Sequence, residues 1–483
     1  MNQDPRAVGC NTTYYYGQFI LTAEDNVLPS GWTVHEYGLW RLATLELSVI
    51  DVFNENQQWL GWCIGHPIVD GCLQPRQIVL QKTTSHAFHL SIEDFYQRAS
   101  GKWILFLLKA GTPQVYLDAY GSLSLVYAID EKTAASTPSL LHRHCWNEAL
   151  IQAVGLPEND TWLPSGLTTK KNVRRLLPNH CLNLENRTVA RHWPKPETDL
   201  TPHVDIQKAI PKIVNNIRKT IKAVAENYPV CFSITAGRDS RMLLACAHGS
   251  LHAASFFTFA EDAETLDMNI AGLLTKRFRL KHRFIPIKEA TSSDMASWQT
   301  LTGLSVSGFI RKIHKTLEQL DPGSVLMPGM GGEVGRAFYW KTSDHPEKKL
   351  TAADILTRCK LPHHPELLQN TEKWLAGLPF VDVFTLLDLV YIEQRLGCWA
   401  APQHYGNTTS AFELTPFNSR VVFQTMMQLP HDYRRNQQLA KDVCDYAWPA
   451  LLEFPFNEYT GMKGYLNSNA KRMKKLVKEF IGR

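Results

Sequence analysis

No stretch of this chain approaches the roughly 18 consecutive apolar residues that a membrane-crossing helix requires. The opening residues, Met1 to Pro5, have neither the basic start nor the apolar core of a secretory leader. The expected location is therefore cytoplasmic. The ten cysteines, at 10, 63, 72, 145, 181, 231, 246, 359, 398 and 444, never form a Cys-x-x-Cys pair. A disulfide framework is not expected in a cytosolic chain of this size. His142-Arg143-His144-Cys145 offers three candidate metal ligands, but no second cluster completes a zinc site, and the reading is ordinary surface or packing residues. Repeats and low-complexity tracts are also missing. Net positive charge is confined to one place. Lys471, Arg472, Lys474, Lys475, Lys478 and Arg483, opposed only by Glu479, hold the whole net excess of +5. A nucleic-acid binder spreads its cations over a face or groove, so no nucleic acid is expected. The basic end reads as a solvated tail, with docking to an anionic partner as the alternative.

What is present is a chain of 483 residues with 44% apolar and 20% charged content. That length exceeds one ordinary core, so two or three domains are expected. The part up to about residue 190 reads as β-rich with some helix. Trp103 to Leu108 predicts a strand, Lys109 to Pro113 a turn and Gln114 to Leu117 a second strand. Asp118 to Ser122 predicts another turn and Leu123 to Tyr127 a third strand, together a meander of neighbouring antiparallel strands. Arg191-His192-Trp193-Pro194-Lys195-Pro196 leads into a polar stretch, and the domain boundary is placed near 195–204.

Beyond that boundary the pattern changes. Ile206, Ile210, Ile213, Ile217, Ile221 and Val224 recur at the spacing of one helix face, with Pro211 near its start. Then strand and helix alternate: Pro229 to Ile234, a helix over Met242 to Ala247, Ala254 to Phe259, a helix over Leu266 to Phe278, and Arg283 to Ile287. Alternation of this kind predicts a parallel sheet with helices on both faces, binding its ligand at the carboxyl ends of the strands.

The first of these strands runs into Thr235-Ala236-Gly237-Arg238-Asp239-Ser240 and then a helix. Gly237 permits close backbone approach, and the helix start favours an anion such as a phosphate. Ser240 adds a donor, and Arg238 and Arg241 add positive charge. Asp239 repels phosphate, but it fits if it holds a magnesium ion bridging to the phosphates. The same six residues also describe a plain strand-to-helix turn with Asp239 as N-cap. A second segment favours the phosphate reading. The strand Val325-Leu326-Met327 enters Pro328-Gly329-Met330-Gly331-Gly332-Glu333-Val334-Gly335-Arg336, a glycine-rich loop with one carboxylate, Glu333, a candidate second magnesium ligand.

These residues resemble the asparagine-synthetase superfamily. Its pyrophosphate loop, S-G-G-x-D-S, reads T-A-G-R-D-S here, and its G-E-G-S-D-E motif reads G-M-G-G-E-V at 329–334. Glu264-Thr265-Leu266-Asp267 with Ala271, and then His282, look like the family's intervening helix and its end. Glu393-Gln394-Arg395-Leu396 is similar to its D-R/K-M segment, Glu413 with Pro416-Phe417 to its E-x-R-x-P-F-L-D, and Met462-Lys463-Gly464-Tyr465 to its K-x-G-F. In the N-terminal part, Val115 to Tyr127 and Pro164 to His180 resemble two segments of the family's glutaminase domain. The resemblance covers nearly the whole chain.

The resemblance implies an α/β protein. An N-terminal Ntn-hydrolase-like α+β sandwich would span 1–200, and an ATP-pyrophosphatase domain (adenine nucleotide α-hydrolase-like) with a helix-flanked parallel sheet would span 201–483. The cofactors implied are ATP and Mg2+. Ser233, Thr235, Ala236, Gly237, Arg238, Asp239, Ser240, Thr258, Gly329 and Gly331 would surround the nucleotide. Asp239 and Glu333 would hold the metal, and Lys463, Glu413 and Arg395 would take catalytic roles, Lys463 on the acyl-adenylate. The partners implied are a carboxylate substrate (sugar acid, peptide or small acid) and an amine or ammonia, with a homodimer or pathway partner compatible and no membrane. Two departures matter. The family's glutaminase uses a cysteine at the mature N-terminus, where this chain has Asn2, with Cys10 further on. Met330 replaces a glutamate near the reacting groups. Glutamine hydrolysis and aspartate amidation are therefore not expected. The reading is a divergent amide-forming ligase, like members that amidate uronic acids, close β-lactams or cyclise lasso peptides. A degenerate nucleotide-binding scaffold or partner subunit is the alternative.

Overall fold

A computed structural model describes residues 15–25, 28–81, 88–156, 158–306, 308–379, 381–406 and 412–459. It is a mixed α/β structure with several sheets. The described residues hold a six-stranded sheet, an eight-stranded sheet and a four-stranded sheet. The first two lie in the N-terminal part and pair antiparallel, except that Val49–Asn54 runs parallel to the edge strand Gln77–Leu80. Their facing surfaces share one apolar layer, in which Phe19, Leu21 and Leu42 of one sheet pack with Trp62, Ile104, Phe106 and Leu117 of the other. The helix Phe88–Arg98 covers the outer face of the larger sheet through Ile92, Phe95 and Tyr96.

The expected three-strand meander forms only in part. Ala99–Leu107 and Gln114–Leu117 pair antiparallel, with Ile104 opposite Leu117. The third strand, Val126–Ala128, leaves for the other sheet, between Thr133–Ala135 and Val173–Arg175. Asp118 causes the departure. Its buried carboxylate accepts from the backbone N–H of Trp103 (3.0 Å) and Ser122 (3.0 Å) and from the Ser122 hydroxyl (2.5 Å). A turn fixed by so many donors to one side chain redirects the chain across the sandwich.

The four-stranded sheet is wholly parallel and follows the order His282–Pro286, Ala254–Ala260, Val230–Ser233, Val325–Met327. Ile206–Ala225, capped by Asp205, buries Ile210, Ile213, Ile217, Ile221 and Val224 beside it. Pro211 sits at the sixth helical position rather than in the first turn, and the helix continues through it. Arg238–Cys246 and Leu266–Phe278 are the crossover helices. No described helix is long and apolar enough to cross a membrane.

One apolar cluster runs through both parts of the chain, from Ile68, Tyr120 and Leu163 to Ile217, Leu396 and Leu451. Polar contacts reinforce it. Glu393 is fully buried and takes four donors: both Nη atoms of Arg191 (2.6 and 2.8 Å), Asn179 Nδ2 (2.9 Å) and Trp374 Nε1 (2.7 Å). Asn418 Nδ2 donates to Asp118 (2.9 Å), and Arg420 donates to Asn179 (2.8 Å) while lying over the Trp193 ring.

Candidate functional site

The Val230–Ser233 strand ends beside the end of Val325–Met327, while Ala254–Ala260 runs three residues further, and the chain turns into Arg238–Cys246. Gly237 is the N-cap, and Asp239 lies inside the first turn with its side chain free to point elsewhere. The alternative reading, in which Asp239 caps the helix, is therefore not what the chain does. The loop is braced from within. Thr235 Oγ1 and Ser240 Oγ lie 2.7 Å apart, and the Gly237 N–H donates to Thr235 Oγ1. It is also braced from outside, because the Ala236 N–H donates to the Asp267 carboxylate at 2.8 Å. Thr258, buried on the next strand, donates to the Ile234 carbonyl and contacts His282 Nε2. Its hydroxyl therefore supports the strand end from beneath. Ser233, the last strand residue, is half-buried. Arg238 stays at the loop. Arg241 does not, because it falls on the buried face of its helix and donates to the carbonyls of Leu451 and Phe454. Its expected contribution of charge at the phosphate position is thus corrected.

The glycine-rich segment follows the neighbouring strand, Val325–Met327, and wraps against this loop. Two glycines make that approach possible. A Cβ on Gly329 would stand 3.1 Å from the Asp239 Cβ, and one on Gly332 would stand 2.7 Å from Asp239 Oδ1. Gly332–Arg336 then forms a short 3-10 turn that carries Glu333. Arg434 supports the turn from below, donating to the Val334 carbonyl (2.5 Å) while paired with Asp388 (2.6 Å).

Asp239 and Glu333 come together. Both reach the same nitrogen of Arg336, Asp239 Oδ2 at 2.8 Å and Glu333 Oε1 at 3.4 Å. The two carboxylates thus face one cation, the Arg336 guanidinium. Burial and the Glu333 charge push the Asp239 carboxyl up to about 6, against the pull of Arg336. Glu333 Oε2 is held by the Gly331 N–H (3.0 Å) and the Tyr391 hydroxyl (2.6 Å), which leaves Oε1 turned to the shared cation. Tyr391 belongs to a π-helical stretch, Val390–Ala400. Such stretches are rare and frequent at functional sites.

The donor set fits magnesium bound with a nucleotide. Among the described residues no group of three or more His, Cys, Asp or Glu side chains is placed to hold a metal unaided. Magnesium needs no such cage. One or two carboxylates suffice where phosphate oxygens and water complete its shell.

Other expected residues lie elsewhere. Arg395 stacks on the Trp399 ring at 3.5 Å. Glu413 lines a cavity between the sheet and the N-terminal part with Lys102, His66 and His404. Burial raises its carboxyl, with Lys102 opposing. Its neighbour Thr415 touches the glycine loop, donating to the Met330 carbonyl. Lys463 and the basic tail lie outside the described residues. Arg336 and Tyr391 were not anticipated. Arg336 ends the glycine-rich run, and its position there was the one available signal.

Two outcomes test this geometry. Tyr391→Phe removes a donor from Glu333 and is expected to weaken Mn2+–nucleotide binding about 10- to 100-fold, measured by calorimetry. Gly332→Ala places a methyl against Asp239 and is expected to weaken the same binding roughly tenfold or more while the thermal midpoint moves little. A large loss of midpoint with unchanged binding would show that this contact only stabilises the fold.

No protein-family model matches the chain, and no curated protein matches it.

Proposed function

We propose that the chain is an ATP-dependent amide-bond-forming ligase of the asparagine-synthetase type. In this reading the N-terminal sandwich is an Ntn-hydrolase-like domain without glutaminase activity, and the parallel sheet belongs to an ATP-pyrophosphatase domain. One observation carries the reading. Asp239 and Glu333, from two loops at the carboxyl edge of a parallel sheet, face one shared cation beside a helix start. A helix start favours phosphate, and paired carboxylates are what a phosphate-bridging magnesium requires.

The reaction has two steps. A substrate carboxylate oxygen attacks the α-phosphorus of ATP, and the bond to the β-phosphate oxygen breaks with its electrons leaving on pyrophosphate. A magnesium ion would supply positive charge to offset the departing pyrophosphate. Asp239 and Glu333 would hold it, and the Thr235–Ser240 loop would seat the phosphates. An amine or ammonia then attacks the acyl carbon, AMP leaves and the nitrogen gives up a proton. Lys463 is the proposed countercharge for that second transition state. The acyl substrate is a sugar acid, a peptide or a small acid. Met330 speaks against authentic asparagine formation.

The alternative is a catalytically silent nucleotide-binding scaffold or partner subunit. The observation that favours it is Arg336, a fixed cation where the metal would sit. ATP–pyrophosphate exchange in the presence of candidate carboxylates separates the two. Carboxylate-dependent exchange supports the ligase, and nucleotide binding without any exchange supports the scaffold.

A further inference from the structure

Arg336 is the residue that the loop motifs leave unexplained. Its Nε and one Nη grip both oxygens of Asp239, at 3.1 to 3.2 Å and 2.8 Å, and that Nη also faces Glu333 at 3.4 Å. Its other Nη meets no described acceptor. The side chain is 28% exposed, against 15% and 18% for the two carboxylates, so it covers them from the solvent side. Phe338 lies 5.8 Å beneath the guanidinium, an aromatic face along which it can slide.

We propose that Arg336 is an internal counter-cation that competes with the metal ion for Asp239 and Glu333 and, once displaced, donates to the phosphate chain of the nucleotide. The proposal rests on the adenylating reading above and adds a regulatory step to the same site.

The charges dictate the exchange. Without ligand, the two carboxylates lie side by side against one guanidinium nitrogen. A single guanidinium relieves the repulsion between them. Arg238 is close enough to feel both Arg336 and Asp239, but among the described residues it makes no hydrogen bond to the acid. Tyr391 contributes a neutral hydroxyl, and Glu458 acts on Arg238. A divalent ion entering between the carboxylates repels Arg336 from the same oxygens. The triphosphate arriving with it brings more negative charge than the ion cancels. The guanidinium then has a stronger set of acceptors, matched to its planar fork. One side chain thus holds the two loops together in the empty site and answers the phosphates in the filled one. It alternates between two anionic partners that are never both unpaired.

The test uses the full-length chain and Mn2+ as the metal, followed by electron paramagnetic resonance with and without α,β-methylene-ATP. Arg336→Gln is expected to bind Mn2+ alone roughly tenfold more tightly, because the competitor is gone, and the Mn2+–nucleotide complex roughly tenfold more weakly. Effects of opposite sign are a signature that a merely structural arginine would not give. Arg336→Lys keeps the charge but loses the two-pronged grip. It should show the same signs at smaller size, and it serves if the glutamine variant folds poorly. Mn2+ binding by Arg336→Gln but not by the unaltered chain would also support the proposal. Shifts of the same sign in both arms, no shift, or no Mn2+ binding by any variant would overturn it. Opposite shifts without ATP–pyrophosphate exchange would keep the arginine exchange and remove the ligase reading.

Discussion

Replacing Asp239 by Asn is expected to lower carboxylate-dependent ATP–pyrophosphate exchange at least about 10^2- to 10^3-fold, the cost of removing one preorganised charge from a transition state. Asparagine keeps the shape and one acceptor oxygen, so the 235–240 loop stays braced by Thr235, Ser240 and Asp267 while its tie to Arg336 weakens. What disappears is one of the two negative charges that face the shared cation. Stability should respond in the other direction. Burial and Glu333 raise the Asp239 carboxyl to about 6, so the fold disfavours its ionised form. Near neutral pH the amide is therefore expected to leave the thermal midpoint unchanged or slightly higher. Exchange at the unaltered rate in Asp239→Asn would remove the residue from the chemistry.

Glu393→Ala is expected to be the most destabilising change at the junction of the two parts, at about 3–5 kcal/mol in denaturant unfolding. The carboxylate is fully buried and satisfies Arg191, Asn179 and Trp374 together. Its removal leaves the Arg191 guanidinium, itself nearly buried, without a counter-charge. The pH dependence has a definite sign. Burial raises the Glu393 carboxyl, but Arg191 and the other donors win and hold it below its ordinary value. A carboxylate depressed on folding contributes stability that is present above its unfolded pKa and lost as pH falls through the folded one. Glu393→Gln should therefore flatten the acid limb of the stability curve. An unchanged acid limb would mean that Glu393 is not ionised in the fold.

The strand–loop–helix geometry of 230–246 was legible in the sequence for a local reason. A strand, a glycine turn and a helix are adjacent in the chain there, and the Leu266–Phe278 helix and Val325–Met327 strand were each read from their own run of residues. The carboxyl edge of the parallel sheet follows from that alternation. Contacts made across long separations were not legible. Arg336 reaches Asp239 across 97 positions, and Tyr391 reaches Glu333 across 58. No local pattern encodes either pair. Resemblance drew attention to the 393–396 segment but placed the interest on Arg395, which stacks on Trp399, while Glu393 makes the long-range bonds. Arg241 was misjudged because its position in the loop says nothing about which face of the helix it occupies. The third strand of the meander was lost to one side chain, Asp118, whose turn outweighs strand propensity in Leu123 to Tyr127.

Tyr391 and Glu393 stand two positions apart on the same π-helical stretch, and two steps along a helix point side chains to roughly opposite sides. One hydroxyl steadies a carboxylate at the glycine-rich loop, while the neighbouring acid is bolted to the N-terminal sandwich. The segment therefore works as a short crank. Through Arg191 and Asn179 on one side and the Tyr391 hydroxyl on the other, a movement of the sandwich would be felt at Glu333.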